Sequence, residues 1–299
     1  MRTVVGVLRG GTGNEYEHSL TVGAHVLQEL DKEKYEPRDI FLDRSGQWHV
    51  HGVGVLPEQA LRGVDVALSA VHGEFGHGGE LQRILETLGV PFVGSRSHAA
   101  ALVYNAPLAK ATVRKMGIRV ARALGVETEG KDISRLAHDL FRSFPQPMVV
   151  SPVGKFPALA QGGFVVDNFN ALQWSLERAA AQSSRVLLEE YISGVEVGTG
   201  VIDRFRDEDV YALIPSGGSI SKAQKDEVAA LAKKVHQGLG LSHYSHSDFV
   251  VSKRGVFFSG VSSYPALASK SRFVEALEEV GAKLTHFLDH IISLALNKK

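Results

Sequence analysis

A β-branched run, Thr3–Leu8, passes straight into a glycine-rich turn, Gly10-Gly11-Thr12-Gly13, and then into a segment from His18 to Leu30 that reads as a helix. This order of apolar strand, tight turn and helix predicts a βα unit. Tyr35–Leu42 and Gln47–Val53 read as further strands, the second alternating Trp48 and Val50 with His49 and His51. Val64–Val71 is another buried run, followed by a glycine-rich loop over His72–Gly79, a helix over Glu80–Leu88 and a strand over Val90–Val93. Parallel strands need crossover connections, which are usually helices. The first hundred residues therefore predict a parallel sheet with helices on its faces.

The remaining chain mixes the two periods less regularly. Two helical segments follow one another from Ser97 to Met116, and strands at Val120–Val126, Met148–Val150 and Gly163–Val166 surround a helix over Ile133–Phe144. A helix over Asn170–Ala181 leads to strands at Val186–Glu190, Val195–Asp203 and Val210–Ile214, then a helix over Lys222–Gly238. A hairpin pairs Phe249–Val251 with Val256–Ser259 across Ser252-Lys253-Arg254-Gly255. One long helix carrying Phe273, Leu277, Val280, Leu284, Phe287, Leu288 and Ile291 ends the chain. A length of 299 residues suits two or three compact units.

Composition narrows the function classes. Lys+Arg and Asp+Glu are equal at 33 each, so nothing in the charge points to nucleic acid or an anionic membrane as partner. Few repulsive charges oppose self-association, which leaves a homodimer open. The absence of cysteine excludes disulfides, thiolate metal sites and a thiol nucleophile. The apolar N-terminal run is too short for a signal peptide, and Phe287–Leu296 is too short to span a bilayer. A cytoplasmic protein is expected.

Several clusters admit two readings. The Gly10–Gly13 turn is either a plain βα turn or a place where backbone approaches a phosphate or carboxylate; the dinucleotide fingerprint fails, because Tyr16 stands where its last glycine belongs. Glu15 and Glu17 open the following helix, where carboxylates favour the macrodipole, or Glu15 anchors an amino group. His72, Glu74 and His77 match no helix-borne zinc spacing, and a ligand rim beyond a strand C-terminus suits their loop better. His246 and Asp248 share one strand face, either as an exposed strand end or as a one-carboxylate magnesium site.

Taken in order, these segments resemble the D-alanine–D-alanine ligases of the ATP-grasp superfamily, over essentially the whole chain. The resemblance is carried by Gly10-Gly11-Thr12-Gly13-Asn14-Glu15-Tyr16-Glu17-His18-Ser19, Ala70-Val71-His72-Gly73-Glu74-Phe75-Gly76, Val93-Gly94-Ser95, Leu188–Glu196 and Tyr244–Phe249. It implies an α/β protein of ATP-grasp type. A Rossmann-like parallel-sheet domain (residues 1–96) would precede two α+β subdomains (97–184 and 185–299). It further implies a reaction in peptidoglycan precursor synthesis: ATP phosphorylates one D-alanine carboxylate, and the amine of a second attacks the acyl phosphate. By position, Glu15 would anchor the first ammonium, with His72 near its carboxylate. Glu189, Tyr191, Ile192 and Glu196 would face the adenine and ribose of ATP. Asp248 would ligate magnesium, and Ser271 would meet the second D-alanine's carboxylate.

The departures from the family pattern gather on phosphate and metal. Ala106 and Ser151 stand at the two ATP-binding lysines, and Val153–Ala158 replaces the phosphate loop, with Lys155 at a different spacing. His246 replaces an arginine, while Gly260 and Ser262 replace the Glu-x-Asn metal pair. Ala266 takes the place of a glycine, and the stretch from Ile214 to Ser221 is too short for an active-site loop. Phosphoryl transfer rests on positioning and charge stabilisation, so these losses predict a degenerate homologue that retains a small amino acid or dipeptide of D-alanine type. Two alternatives stay open: an active ligase with a phosphate site rebuilt from Lys155, Lys222 or Lys225, and a non-catalytic interaction subunit.

Overall fold

The computed structural model describes residues 2–152 and 164–297. The first unit runs β1 (Thr3–Gly10), α1 (Tyr16–Glu29), β2 (Tyr35–Leu42), β3 (Trp48–Val50), β4 (Val53–Val55), α2 (Pro57–Ala60), β5 (Val66–Ser69), α3 (Gly73–His77) and α4 (Glu80–Thr87). Its sheet has the order β4-β3-β2-β1-β5, with β1 parallel to both β2 and β5. Alternation along β1 buries both faces: Val5 and Val7 pack with Val22 and Val26 of α1, and Leu8 packs with Ile40, Trp48 and Leu81 on the other side. The single strand expected over Gln47–Val53 is instead the β3–β4 hairpin, which turns at His51 and Gly52, both at positive φ. The loop expected over His72–Gly79 winds into α3, and Val90–Val93 contributes only a bridge between Phe92 and Ala67.

The second unit begins with α5 (Ser97–Tyr104) and α6 (Ala106–Lys115), which break at Asn105, whose side chain accepts from the Leu108 amide. It continues through β6 (Ala123–Glu127), α7 (Ile133–Ser143), β7 (Met148–Pro152), β8 (Phe164–Val166), α8 (Phe169–Ala180) and β9 (Arg185–Glu190). These strands form an antiparallel sheet ordered β6-β9-β7-β8. One face is covered by α7 and α8 through Ala137, Leu140, Leu172 and Leu176. Because β9 pairs with both β6 and β7, hydrogen bonding carries this sheet through Glu190, beyond residue 184. Val153–Ala158, including Lys155, lies outside the described residues, as does Gly163 at the start of its expected strand.

The third unit comprises β10 (Val195–Phe205), β11 (Glu208–Ala212), α9 (Lys222–Gly238), β12 (Tyr244–Ser252), β13 (Gly255–Ser262), α10 (Arg272–Glu279) and α11 (Leu284–Leu296). Its antiparallel sheet is ordered β11-β10-β12-β13. The long terminal helix expected from Phe273 to Ile291 breaks in two near Gly281, at φ 73, where the Ala282 amide donates back to Leu277. The break lets Phe273, Phe287 and Ile291 pack against Val5, Val7 and Leu68, so the first and third units share one core. The link after β11 lies flat on β10: the Gly198 and Ser216 amides donate to one another's carbonyls at 2.8 and 2.9 Å. Among the described residues, no helix is long and apolar enough to cross a membrane.

Candidate functional site

At the C-terminal ends of β1 and β5, the glycine turn and the His72 loop meet. Gly10 lies at φ 93, and a Cβ there would sit 2.0 Å from the Leu42 carbonyl oxygen, so the turn closes only on glycine. Ser19 Oγ accepts from the Gly10 amide and donates to the Ala70 carbonyl, both at 2.8 Å, which ties the turn to the end of β5. Glu15 is the N-terminal flank of α1, yet its carboxylate makes no capping hydrogen bond. Glu17 pairs with Arg44 at the surface, at 3.0 Å. Burial, and then the carboxylates of Glu74 and Glu15, push the Tyr104 phenol above its usual range.

One turn beyond Glu15, the His18 ring lies 4.7 Å from that of His72, which lies 5.0 Å from His77; His77 in turn stacks on Tyr264 at 6.2 Å. Among the described residues, Nε2 of His72 and of His77 is buried without a hydrogen-bond partner. Burial, followed by the neighbouring rings, holds His72 well below the usual imidazole range and lowers His77 to about 4. These rings are neutral at physiological pH. Among the described residues, no three His, Asp or Glu side chains are placed to hold a metal ion.

A separate cleft opens between the second and third units. Its apolar walls are Val149, Ile192, Phe249, Phe257 and Phe258, and its polar groups include Glu189, Glu196, Asp248 and Arg272. Glu189, Tyr191, Ile192, Glu196 and Asp248, all anticipated from sequence, are thus brought to one cavity. Glu189 is buried, and Lys110 of α6 forms an ion pair with it. Glu196 is exposed on the rim, and the Tyr191 amide donates to the Pro147 carbonyl at 3.0 Å.

The floor of the cleft is set by strand register. On β12, His246 and Asp248 lie opposite Gly200 and Gly198 of β10 and opposite Ser262 and Gly260 of β13. A Cβ at position 198 would come 2.4 Å from His246 Nε2 and 2.9 Å from Asp248 Oδ1, so this glycine leaves the room that both side chains occupy. Asp248 Oδ1 is 3.4 Å from His246 Nε2 and 3.9 Å from Arg272 Nη1. Gly198→Ala is expected to displace the His246–Asp248 pair and to cost about 1–3 kcal/mol, as overpacking does. A urea titration measures that cost, and an unchanged midpoint would refute it.

His246 and His243 are both buried, which corrects the reading of this segment as an exposed strand end. His243 is structural: its Nδ1 accepts from the Gly94 amide at 2.9 Å and its own amide donates to Asp203 at 2.6 Å. Ser271 caps α10, its Oγ accepting from the Val274 amide at 3.3 Å. Ala106 and Ser151 are buried and do not line the cleft; Lys222 and Lys225 sit on α9, away from it. Two residues were missed from sequence. Lys110 falls on the buried stripe Ala106, Ala109, Val113 of α6, and a lysine on such a stripe is a signal for a buried partner. Arg272 opens a helix, where a cation opposes the macrodipole, and that mismatch was its only local sign.

The model of the family described as D-ala D-ala ligase C-terminus matches residues 207–293. D-alanine--D-alanine ligase B of Clostridium perfringens is 26% identical over 99% of both chains. The D-alanine-D-alanine ligase structure from Coxiella burnetii superposes with a TM-score of 0.84 at 20% identity, covering 99% of this chain and 94% of the other. The Bacillus anthracis ligase solved in complex with ATP gives 0.78 at 23% identity, covering 98% and 97%. In sequence and in fold alike, this chain is similar from end to end to D-alanine–D-alanine ligases, and it has their ATP-grasp fold.

Proposed function

We propose that this protein has lost efficient ATP-dependent ligation of D-alanine and keeps a site for a small D-alanine-type amino acid or dipeptide at its N-terminal end. The observation that carries the reading is the environment of Asp248. The family uses ATP and magnesium, and magnesium seeks octahedral oxygen ligands, commonly one or two carboxylates plus substrate phosphates. Positions 260 and 262, across the strand from Asp248 and His246, offer no carboxylate, and the neighbours of Asp248 are an imidazole and a guanidinium. These residues do not fit a magnesium site, and no phosphoryl-transfer step is assigned to them.

The N-terminal end supports the binding half of the reading. Glu15 keeps its carboxylate free of capping, one helical turn from the His18–His72 pair. An uncharged His72 can exchange a hydrogen bond with a ligand carboxylate, and its buried Nε2 lacks a partner among the described residues. In this reading residues 1–96 bind the amino acid, while 97–184 and 185–299 form the two halves of the nucleotide grip.

A second reading, an active ligase with rebuilt phosphate chemistry, draws support from Lys110 and Arg272 lining the cleft. Lys110, however, is paired with Glu189. The test is phosphate release with ATP, magnesium and D-alanine, expected to show no D-alanine-dependent turnover. A rate on the order of 1 s⁻¹ or above would favour the active ligase. Calorimetry with D-alanine tests the binding site: Glu15→Ala is expected to weaken binding by roughly ten-fold or more, the loss of a charge-assisted hydrogen bond. Equal affinity of both proteins would sink the amino-acid site.

A further inference from the structure

We infer that the cleft between the second and third units binds a nucleotide without a divalent ion, Arg272 supplying the positive charge that meets the phosphate. The inference rests on the reading of this cleft as the nucleotide grip and departs from the family in its cation. The Arg272 side chain is 66% exposed, and its guanidinium stands 3.9 Å from Asp248 Oδ1, too far for a tight hydrogen bond. It is therefore held over the cleft floor by charge while most of its donors stay available to a ligand. A guanidinium presents five N–H donors in a planar fork matched to phosphate oxygens and cannot lose its charge.

Local structure gives Arg272 no other task. It stands at the first residue of α10, where a cation opposes the helix dipole, and the cap itself is made by Ser271. Asp248 is flanked by glycine at both cross-strand positions, 198 and 260, so the guanidinium reaches it over a flat floor. A divalent ion on Asp248 would meet this cation at close range, and like charges there repel. The same cleft also suits a planar ring: Val149, Ile192, Phe249 and Phe258 give it apolar walls, and the carboxylates of Glu189 and Glu196 line it as acceptors.

Calorimetric titration of the full-length protein with ADP and with adenosine, each in EDTA and in excess magnesium, decides the matter. ADP is expected to bind equally in both conditions. Arg272→Ala is expected to weaken ADP by roughly 10–100-fold, the range of a hydrogen bond to a charged group, and to leave adenosine unchanged. Arg272→Lys is expected to fall between, keeping the charge but losing the fork. An exposed position makes both variants safe for folding. ADP binding that needs magnesium and strengthens in Arg272→Ala would overturn the inference, since removing the guanidinium would then have freed a metal ligand. An ADP affinity that Arg272→Ala leaves unaltered would overturn it as well. Failure of both adenosine and ADP to bind under any condition would overturn the nucleotide reading of the cleft along with it.

Discussion

Lys110→Met is expected to destabilise the protein by about 3–5 kcal/mol, because it leaves the Glu189 carboxylate buried without its cation. Both side chains are 7% exposed, so water cannot take over from the missing partner. The pair joins α6 to β9 and thereby fixes one wall of the cleft. The double variant Lys110→Met/Glu189→Leu is expected to recover most of the loss, since replacing a whole buried ion pair with apolar groups is often neutral. Urea denaturation of the two single variants and the double completes the cycle. Additive losses would mean that the two residues act independently and that the pairing has no energetic weight. The cycle also bears on ligation, because a lysine held in the core by Glu189 is not a free cation for a transferring phosphoryl group.

Between pH 6.5 and about pH 4 the protein is expected to lose roughly 3 kcal/mol of stability through His77 alone. The sign follows from proton counting. Burial and the charge of His18 depress His77 to about 4 in the folded state, whereas an unfolded imidazole titrates near 6.5. Within that window the unfolded chain binds the extra proton, so stability falls as the pH falls and levels off below about 4. His72, depressed for the same reason, acts in the same direction. The depressed carboxyls of Asp43, Asp203 and Asp289 act only below the usual carboxylate range, so they leave this window to the histidines. His77→Phe keeps an aromatic ring against Tyr264 and removes the titration. Its urea midpoint is expected to vary less with pH than that of the wild type, and parallel profiles would refute the assignment.

The candidate site was legible in part, and the reason differs by residue. Glu189, Glu196 and Asp248 lie in segments whose strand character and order are local, and β10 and β12 carry the last two into one cleft by register. His246 was placed on the face of Asp248 by the period of two, and the contact at 3.4 Å agrees. Its burial was not legible, since that depends on β10 and β13 closing on both sides. Lys110 escaped because its partner is 79 residues away. A buried lysine looks like any helix lysine until that partner is known. Arg272 escaped for a similar reason: it comes near Asp248 only once α10 has packed on β10.

The sequence alone determined the alternation of strands and helices, the glycine turn at Gly10 and the parallel core of the first sheet. These follow from side-chain period and backbone sterics, which act within a few residues. Its errors lay at breaks: the β3–β4 hairpin at His51-Gly52, helix α3 inside the glycine-rich loop, and the division between α10 and α11 at Gly281. At each, packing against distant segments outweighed local preference. Tertiary structure alone decided the sharing of one core by the first and third units, the pairing of Lys110 with Glu189 and the placing of Arg272 beside Asp248. All three are contacts between segments remote in the chain. Their energy comes from burial and charge that exist only once those segments have met.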